Sequence, residues 1–359
     1  MKGLILSGGK GTRLRPLTYT SAKQLMPVAN KPILFYGLEA IREAGITDIG
    51  IVVGDTKEEI KKEVGDGSRW GVKISYIEQE APLGLAHAVM VSEEFLGEDP
   101  FVMYLGDNII INGIKALVDE FRANRPNSQI LLAHVKTPQQ FGVAELNEDK
   151  VVRLEEKPDK PKSDLALVGV YMFDNNIMKA VKSIKPSGRG ELEITDAIQW
   201  MIDNDFEVDP HVVHGWWKDT GKVDDILEAN RMILDTMEDR IDGEVCADSE
   251  VHFKVVIEKG ARIVNSIVRG PAIIGEGTQV INSFIGSFTS ISNNCVIENS
   301  EIRHSIILQN SVIRDIEEST QGIRIEDSLI GRKVQVSRST QRPRANRLIL
   351  GDHSEIKLI

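Results

Sequence analysis

Cysteine is scarce in this sequence: Cys246 and Cys295 are the only two in 359 residues. That argues against a disulfide scaffold and fits a reducing compartment, and their spacing matches no metal motif. Long apolar runs are also lacking. No stretch approaches the roughly 18 apolar residues of a membrane span. The opening Met1–Leu6 is apolar for too few residues to be a signal-peptide core, so the cytoplasm is the expected location. Positive charge is in deficit. Lys and Arg number 43 against 54 Asp and Glu, a net charge of −11. Bulk attraction to nucleic acid or to an anionic membrane is thereby excluded. A polyphosphate ligand would have to be met locally, by a few Arg and Lys, by backbone amides or by a divalent ion. What is present is ordinary for a soluble globular protein, with 41% hydrophobic and 27% charged residues. The length suggests two domains at roughly 150 residues each.

The first part alternates strand and helix. Gly3–Leu6, Ile49–Val53, Lys73–Ile77 and Phe101–Leu105 read as apolar strands. Ile33–Ala44, Glu58–Val64 and Leu85–Phe95 read as helices, the first stopped by Gly45. Fully apolar strands separated by helices imply a doubly wound, mostly parallel α/β sheet covered on both faces. Ligands on such sheets bind at the carboxyl ends of strands. The texture changes near Asp242-Gly243. From about Val251, β-branched residues recur every six positions, as in Val268, Ile274, Val280 and again in Ile285, Ile291, Ile297. That period predicts a left-handed parallel β-helix of hexapeptide repeats rather than an antiparallel domain, which would alternate at two. The expected domains are residues 1–240 and 245–359, with Gln341–Arg347 as a solvated loop.

Leu6-Ser7-Gly8-Gly9-Lys10-Gly11-Thr12-Arg13-Leu14-Arg15-Pro16 is the most informative stretch. Its glycines let backbone N–H groups approach phosphate oxygens. Lys10 is followed by Gly11 rather than Ser or Thr, so it is not a P-loop, and Leu14 stands where a dinucleotide fingerprint needs glycine. Two arginines suit a triphosphate. Ser21–Pro32 follows, stiffened by two prolines, and can hold Lys23 over a phosphate.

Together, Gly8–Pro16 and Lys23-Gln24-Leu25-Met26-Pro27 resemble the sugar-1-phosphate nucleotidyltransferases, in a long form with a C-terminal β-helix. The resemblance runs through several motifs over about the first 235 residues. It implies transfer of a nucleotide from a triphosphate, dTTP or alternatively UTP, to a sugar phosphate such as glucose 1-phosphate, with release of pyrophosphate and with Mg²⁺ as cofactor. It implies Leu6, Gly8, Gly9, Gly11, Thr12, Arg13, Gln79, Pro82, Gly84 and Asp107 for the nucleotide, Gln79 and the Gly84 backbone reading the base. It implies Gly142, Glu156, Lys157, Val168 and Arg189 for the sugar phosphate, and Asp107 with Asp219 for the metal. Arg13, Lys23 and Lys157 are the expected catalytic cations. His87 is given no role and reads as a helix-surface residue. Two rivals differ in class. An acyltransferase in the β-helix would need a histidine base, for which His252 and His304 are the candidates. A non-catalytic subunit should have lost Arg13, Lys23, Asp107 or Asp219, and all four are present. The tail is expected to serve homo-oligomer assembly.

Overall fold

The computed structural model describes residues 1–9, 11–213, 216–316, 324–338 and 353–356; the Gln341–Arg347 segment lies outside them. The chain divides into two compact units. The first comprises Met1–Lys10, Ser21–Leu25 and Ile33–Asp219, and the second Gly11–Thr20, Met26–Pro32 and Thr220–Ile359.

The first unit is built on a nine-stranded sheet. Four strands run parallel in the order Phe101–Leu105, Lys2–Ser7, Asp48–Val53 and Lys73–Glu78, the last forming an edge of the sheet. Leu165–Phe173 pairs antiparallel to Phe101–Leu105 and carries the remaining strands on its other side. The central strands are apolar throughout because both faces are covered. Ile5, Ile49, Ile51, Val102 and Tyr104 point into one core, and Leu4, Leu6, Val52, Phe101 and Met103 into the other. The expected helix over Leu85–Phe95 is broken in two, Leu85–Val91 and Glu93–Leu96. At the break the buried Ser92 hydroxyl donates back to the Ala88 carbonyl at 2.7 Å, a local bond that competes with the helix ladder.

The second unit is a three-faced parallel β-helix with the helix Val223–Thr236 and two short N-terminal segments. Its coil begins at Arg240–Ile241, ahead of the expected domain start at residue 245 and of the six-residue recurrence from Val251, because the first edge strands have few apolar residues. The stacked interior columns are Ile257, Ile274, Ile291 and Ile307; Ile263, Val280, Ile297 and Ile313; and Val268, Ile285 and Ile302, all fully buried. Equivalent residues in the first coils are 17 apart, as in the Ser283 amide bonding Ser266 Oγ, and the step shortens to 16 from Ile291 to Ile307 and from Ile297 to Ile313. One edge is therefore a residue short of a perfect hexapeptide, at Asn265-Ser266, Asn282-Ser283 and Asn299-Ser300. This is why the six-residue period resets between Val280 and Ile285. The asparagines take up the tight corner in left-handed backbone. Their amides stack, Asn265 donating to Asn282 at 2.9 Å and Asn282 to Asn299 at 3.2 Å.

The N-terminal hairpin of this unit pairs Pro27–Val28 with Lys31–Pro32. Its two turn residues, Ala29 and Asn30, both have positive φ, the geometry of the favoured two-residue hairpin turn. The turn is tied to the coil through the fully buried Asn230. Asn230 Oδ1 accepts from Ala29 N–H at 2.8 Å and from Ser290 Oγ at 2.6 Å, and its Nδ2 donates to the Phe288 carbonyl at 3.1 Å. Asn30 Nδ2 adds a bond to the Ile291 carbonyl at 2.8 Å. Replacing Asn230 by Ala leaves these buried groups unpaired. A loss of about 2–4 kcal/mol is expected, from roughly 1–3 kcal/mol per orphaned group. Differential scanning calorimetry of the Asn230→Ala chain should show it as a lower transition temperature.

Candidate active site

Two central strands of the first unit end together. Gly106 N–H donates to the Leu6 carbonyl at 2.9 Å, and a Cβ at Gly106 would lie 3.0 Å from that oxygen. Asp107 follows immediately. A short antiparallel ladder then pairs Asn108–Ile110 with Trp217–Asp219, setting Asn108 opposite Asp219. Two carboxylates far apart in sequence, Asp107 and Asp219, are thus neighbours at the carboxyl end of the sheet.

Lys23 lies between them. Its side chain is only 8% exposed; its ammonium donates to Asp107 Oδ2 and stands 3.8 Å from Asp219 Oδ1. The segment is fixed by Glu59, which accepts from Ser21 Oγ at 2.8 Å and from Ala22 N–H at 2.6 Å. Burial pushes the Asp107 carboxyl upward, but the Lys23 ammonium and the Asn108 amide outweigh it and hold it below the usual carboxylate range. Asn108 is the positioning residue. Its Nδ2 donates to Asp107 Oδ1 at 2.9 Å, and its Oδ1 accepts from the Trp217 indole at 2.6 Å. Asn108 also explains Gly169, where a Cβ would meet its side chain at 2.6 Å.

On one flank, Gln79 is buried and its Oε1 lies 3.2 Å from where a Cβ of Gly8 would be. Its Nε2 bonds the Gly84 carbonyl at 3.2 Å and His87 Nδ1 at 3.0 Å. His87 is therefore half-buried and part of this cluster, not a free helix-surface residue. Gly84 has φ +103°, and any Cβ would lie 2.3 Å from the Leu192 carbonyl oxygen, so no other residue fits. Pro82 is exposed beside it.

On the other flank, Gly142 and Glu156 are directly paired across two strands. The Glu156 carboxylate accepts from Thr195 Oγ1 and Arg189 Nη2, each at 3.3 Å, and lies 3.3 Å from Lys157 Nζ. Burial raises its pKa, more than Lys157 and Arg189 lower it. Arg189 is clamped: both Glu193 carboxylate oxygens lie 2.9 Å from its Nη2, and Glu193 is buried. Val168 does not line the site through its side chain, which is fully buried in the sheet core.

The glycine-rich loop is shared between the units. Leu6, Gly8 and Gly9 belong to the first, and Gly11, Thr12 and Arg13 to the second; Lys10 lies outside the described residues. There Thr12–Leu14 forms a 3₁₀ turn begun by Gly11 at φ 61°, with Leu14 fully buried and Thr12 and Arg13 exposed.

A nucleotidyl transferase family model matches residues 2–236. The chain belongs to the nucleotidyl transferase family. Glucose-1-phosphate thymidylyltransferases of Streptomyces griseus and Streptomyces antibioticus are 57% and 56% identical to it, each match covering 100% of this chain and 99% of the relative. A solved Bacillus anthracis structure, provisionally assigned as a glucose-1-phosphate thymidylyltransferase and bound to sucrose, superposes with a TM-score of 0.63 at 36% identity. It covers 67% of this chain and 98% of that one. The family match takes in every candidate residue from Leu6 to Asp219.

The Asp107 carboxylate is held in one orientation at the strand end. Trp217 and Asn108 do this, and neither is marked by motif reasoning; the one signal is that Trp217 and Asp219 alternate onto the same face of one strand. In Trp217→Phe the ring volume stays and the N–H goes. Stability should fall by about 1–2 kcal/mol, the scale of a lost buried bond, in urea denaturation. Turnover should fall as well, because Asp107 loses its orienting neighbour. Unchanged turnover would assign Trp217 to packing alone.

Proposed function

We propose that this protein is a glucose-1-phosphate thymidylyltransferase, converting dTTP and glucose 1-phosphate to dTDP-glucose and pyrophosphate. The observation that carries the reading is the Lys23–Asp107–Asp219 cluster, at the carboxyl end of a sheet whose sequence is matched end to end by relatives of that name. The chemistry is assigned to residues 1–240 and assembly into a homo-oligomer to residues 245–359. The cytoplasm is the proposed location; among the described residues no helix is long and apolar enough to cross a membrane.

The sugar phosphate oxygen that attacks the α-phosphorus is already anionic near neutral pH, so no general base is required. Catalysis is then positioning and charge neutralisation. Lys23 is the buried cation at the reacting end, and its ammonium offsets charge on the nucleotide phosphates. Lys157 aligns the sugar phosphate while Glu156 accepts sugar hydroxyls beside the Gly142 backbone. Arg189 holds Glu156 and Glu193 in place. Thr12, Arg13 and the backbone of Gly8, Gly9 and Gly11 take the leaving pyrophosphate. Gln79 Oε1 and the Gly84 backbone meet the pyrimidine edge, the Gln79 amide nitrogen being engaged by Gly84 and His87.

Mg²⁺ fits the donor set: two hard carboxylate oxygens on adjoining strand ends, with no third His, Cys, Asp or Glu converging on any such group among the described residues. That is the pattern of an ion that takes few carboxylates and fills its shell with water and phosphate. Asp107 and Asp219 would hold it, and it would supply charge neutralisation at the phosphates. Asp107→Ala and Asp219→Ala should each lower kcat by ~10²-fold or more, as loss of a main electrostatic stabiliser does. Near-normal turnover of either folded variant removes the metal assignment.

The deciding assay is pyrophosphate release across a panel of triphosphates with glucose 1-phosphate. dTTP should lead with UTP next, because the bases differ by one methyl worth only ~1 kcal/mol. A kcat/KM favouring ATP or GTP over both pyrimidines would overturn the proposal.

A further inference from the structure

The three corners of the coil are not built alike. Turning the chain through left-handed backbone calls for Asn, Asp or Gly, because a larger side chain at positive φ is strained. One corner follows that rule with Asn265, Asn282 and Asn299, and another follows it at Asn294 and Asn310 before ending in Lys333 at φ 58°. The third has Asp327 at φ 48° but also Phe253 at φ 59°, Lys254 at φ 49°, Phe288 at φ 61° and His304 at φ 44°. Nothing about the turn calls for an aromatic ring there. Strained backbone of this kind persists where its surroundings enforce it, and it clusters at binding sites. Here the surroundings do enforce it: Phe288 N–H donates to the Pro271 carbonyl at 2.6 Å, and its own carbonyl accepts from Asn230.

The Phe288 and His304 rings line a groove of about 480 Å³. Its wall also holds Arg231, Arg269, Arg303 and Phe284, and its single carboxylate is Glu326. Three guanidiniums against one carboxylate is a local reversal in a chain of net charge −11. Glu326 is itself shared, accepting from both Arg303 and Arg324. Arg231 pairs with Glu228 on its own helix and stands 5.8 Å over the Phe288 ring. Arg269 stands 5.8 Å over Phe284 and has no carboxylate partner among the described residues. His304 leans on Asp327 through Nδ1, meets Phe288 edge-on at 6.2 Å, and keeps a buried Nε2 without a hydrogen-bond partner. That enclosure also counts against His304 as the base of an acyl transfer, since the nitrogen that would take the proton is out of reach of a substrate.

We propose that this groove is a second ligand site, separate from the nucleotide-transfer chemistry. It takes a phosphate monoester or polyphosphate carried on a ring, with the arginines on the phosphate and the phenylalanines along the ring. Forked guanidiniums match phosphate oxygens, and a planar cation held against an aromatic face is ordered before the anion arrives. Such a ligand could be a nucleotide or a sugar phosphate; the two share the phosphate and differ in the base.

The test uses the full chain in low-salt titration calorimetry, with ADP, ribose 5-phosphate and uncharged adenosine as probes. ADP, ribose 5-phosphate or both should bind, more weakly as salt rises, and Arg269→Ala and Arg303→Ala should each weaken binding by about 10-fold or more. Both residues are exposed strand positions, and Arg269→Lys, which keeps charge but loses the fork, should fall between. Lys23→Ala should leave this binding in place. ADP binding more tightly than ribose 5-phosphate identifies a nucleotide ligand; equal binding identifies phosphate recognition alone, as in a sugar phosphate. The proposal is overturned if neither phosphate binds at millimolar concentration, if adenosine binds as tightly as ADP, if both Arg→Ala variants bind like the parent, or if Lys23→Ala abolishes binding.

Discussion

The site in the first unit is organised around one buried ammonium. Lys23 is 8% exposed and has the carboxylates of Asp107 and Asp219 on its two sides. A charge removed from water is tolerated only where partners replace its hydration, and removing one partner of such a group is far more damaging than never having had it. Everything near it serves to hold that arrangement. The Asn108–Asp219 ladder brings the second carboxylate in, Glu59 anchors the chain before Lys23, and Trp217 and Asn108 turn Asp107 toward the ammonium.

The broad architecture was legible in the sequence because it is written in short periods. Apolar strands such as Ile49–Val53, helical spacing in Ile33–Ala44 and the six-residue recurrence from Val268 each declare themselves within a dozen residues. The carboxyl ends of those strands then placed Gly8 and Asp107 correctly. What was not legible depends on partners remote in sequence. The hairpin at Ala29-Asn30 joins the coil through Asn230 and Ile291, some 200 residues on, and nothing local in Val28–Lys31 announces it. The ladder between Asn108–Ile110 and Trp217–Asp219 has only three residues a side, too few to show alternation. His87 looked idle because its partner, Gln79, sits across a turn rather than along the helix.

The hairpin changes how the tail should be regarded. Met26–Pro32 follows directly on Lys23–Leu25 yet packs with the coil unit. Its turn, with Ala29 at positive φ, is held by Asn230, which is in turn bonded to the coil residues Phe288 and Ser290. A β-helix added only for assembly could be removed without touching that hairpin. This one cannot, because its removal takes away the Phe288, Ser290 and Ile291 partners of Asn230 and Asn30 at the turn.

An acidic chain that is to handle phosphates has to create positive potential locally, and the cations proposed for that here are already engaged. Arg189 is gripped by Glu193 and reaches Glu156, Lys157 lies against Glu156, and Lys23 lies between two aspartates. In the coil, Arg303 and Arg324 divide one glutamate. A free arginine or lysine on a surface surrenders about 2 kcal/mol of rotamer entropy when a ligand immobilises it. One that is already held by a carboxylate has met most of that cost during folding, so more of the phosphate interaction appears as affinity or as rate. The paired acids do not cancel the device; they are what orients it. On that view an excess of Asp and Glu is compatible with anionic substrates, since the same carboxylates that make the chain acidic preorganise the few cations proposed to bind them.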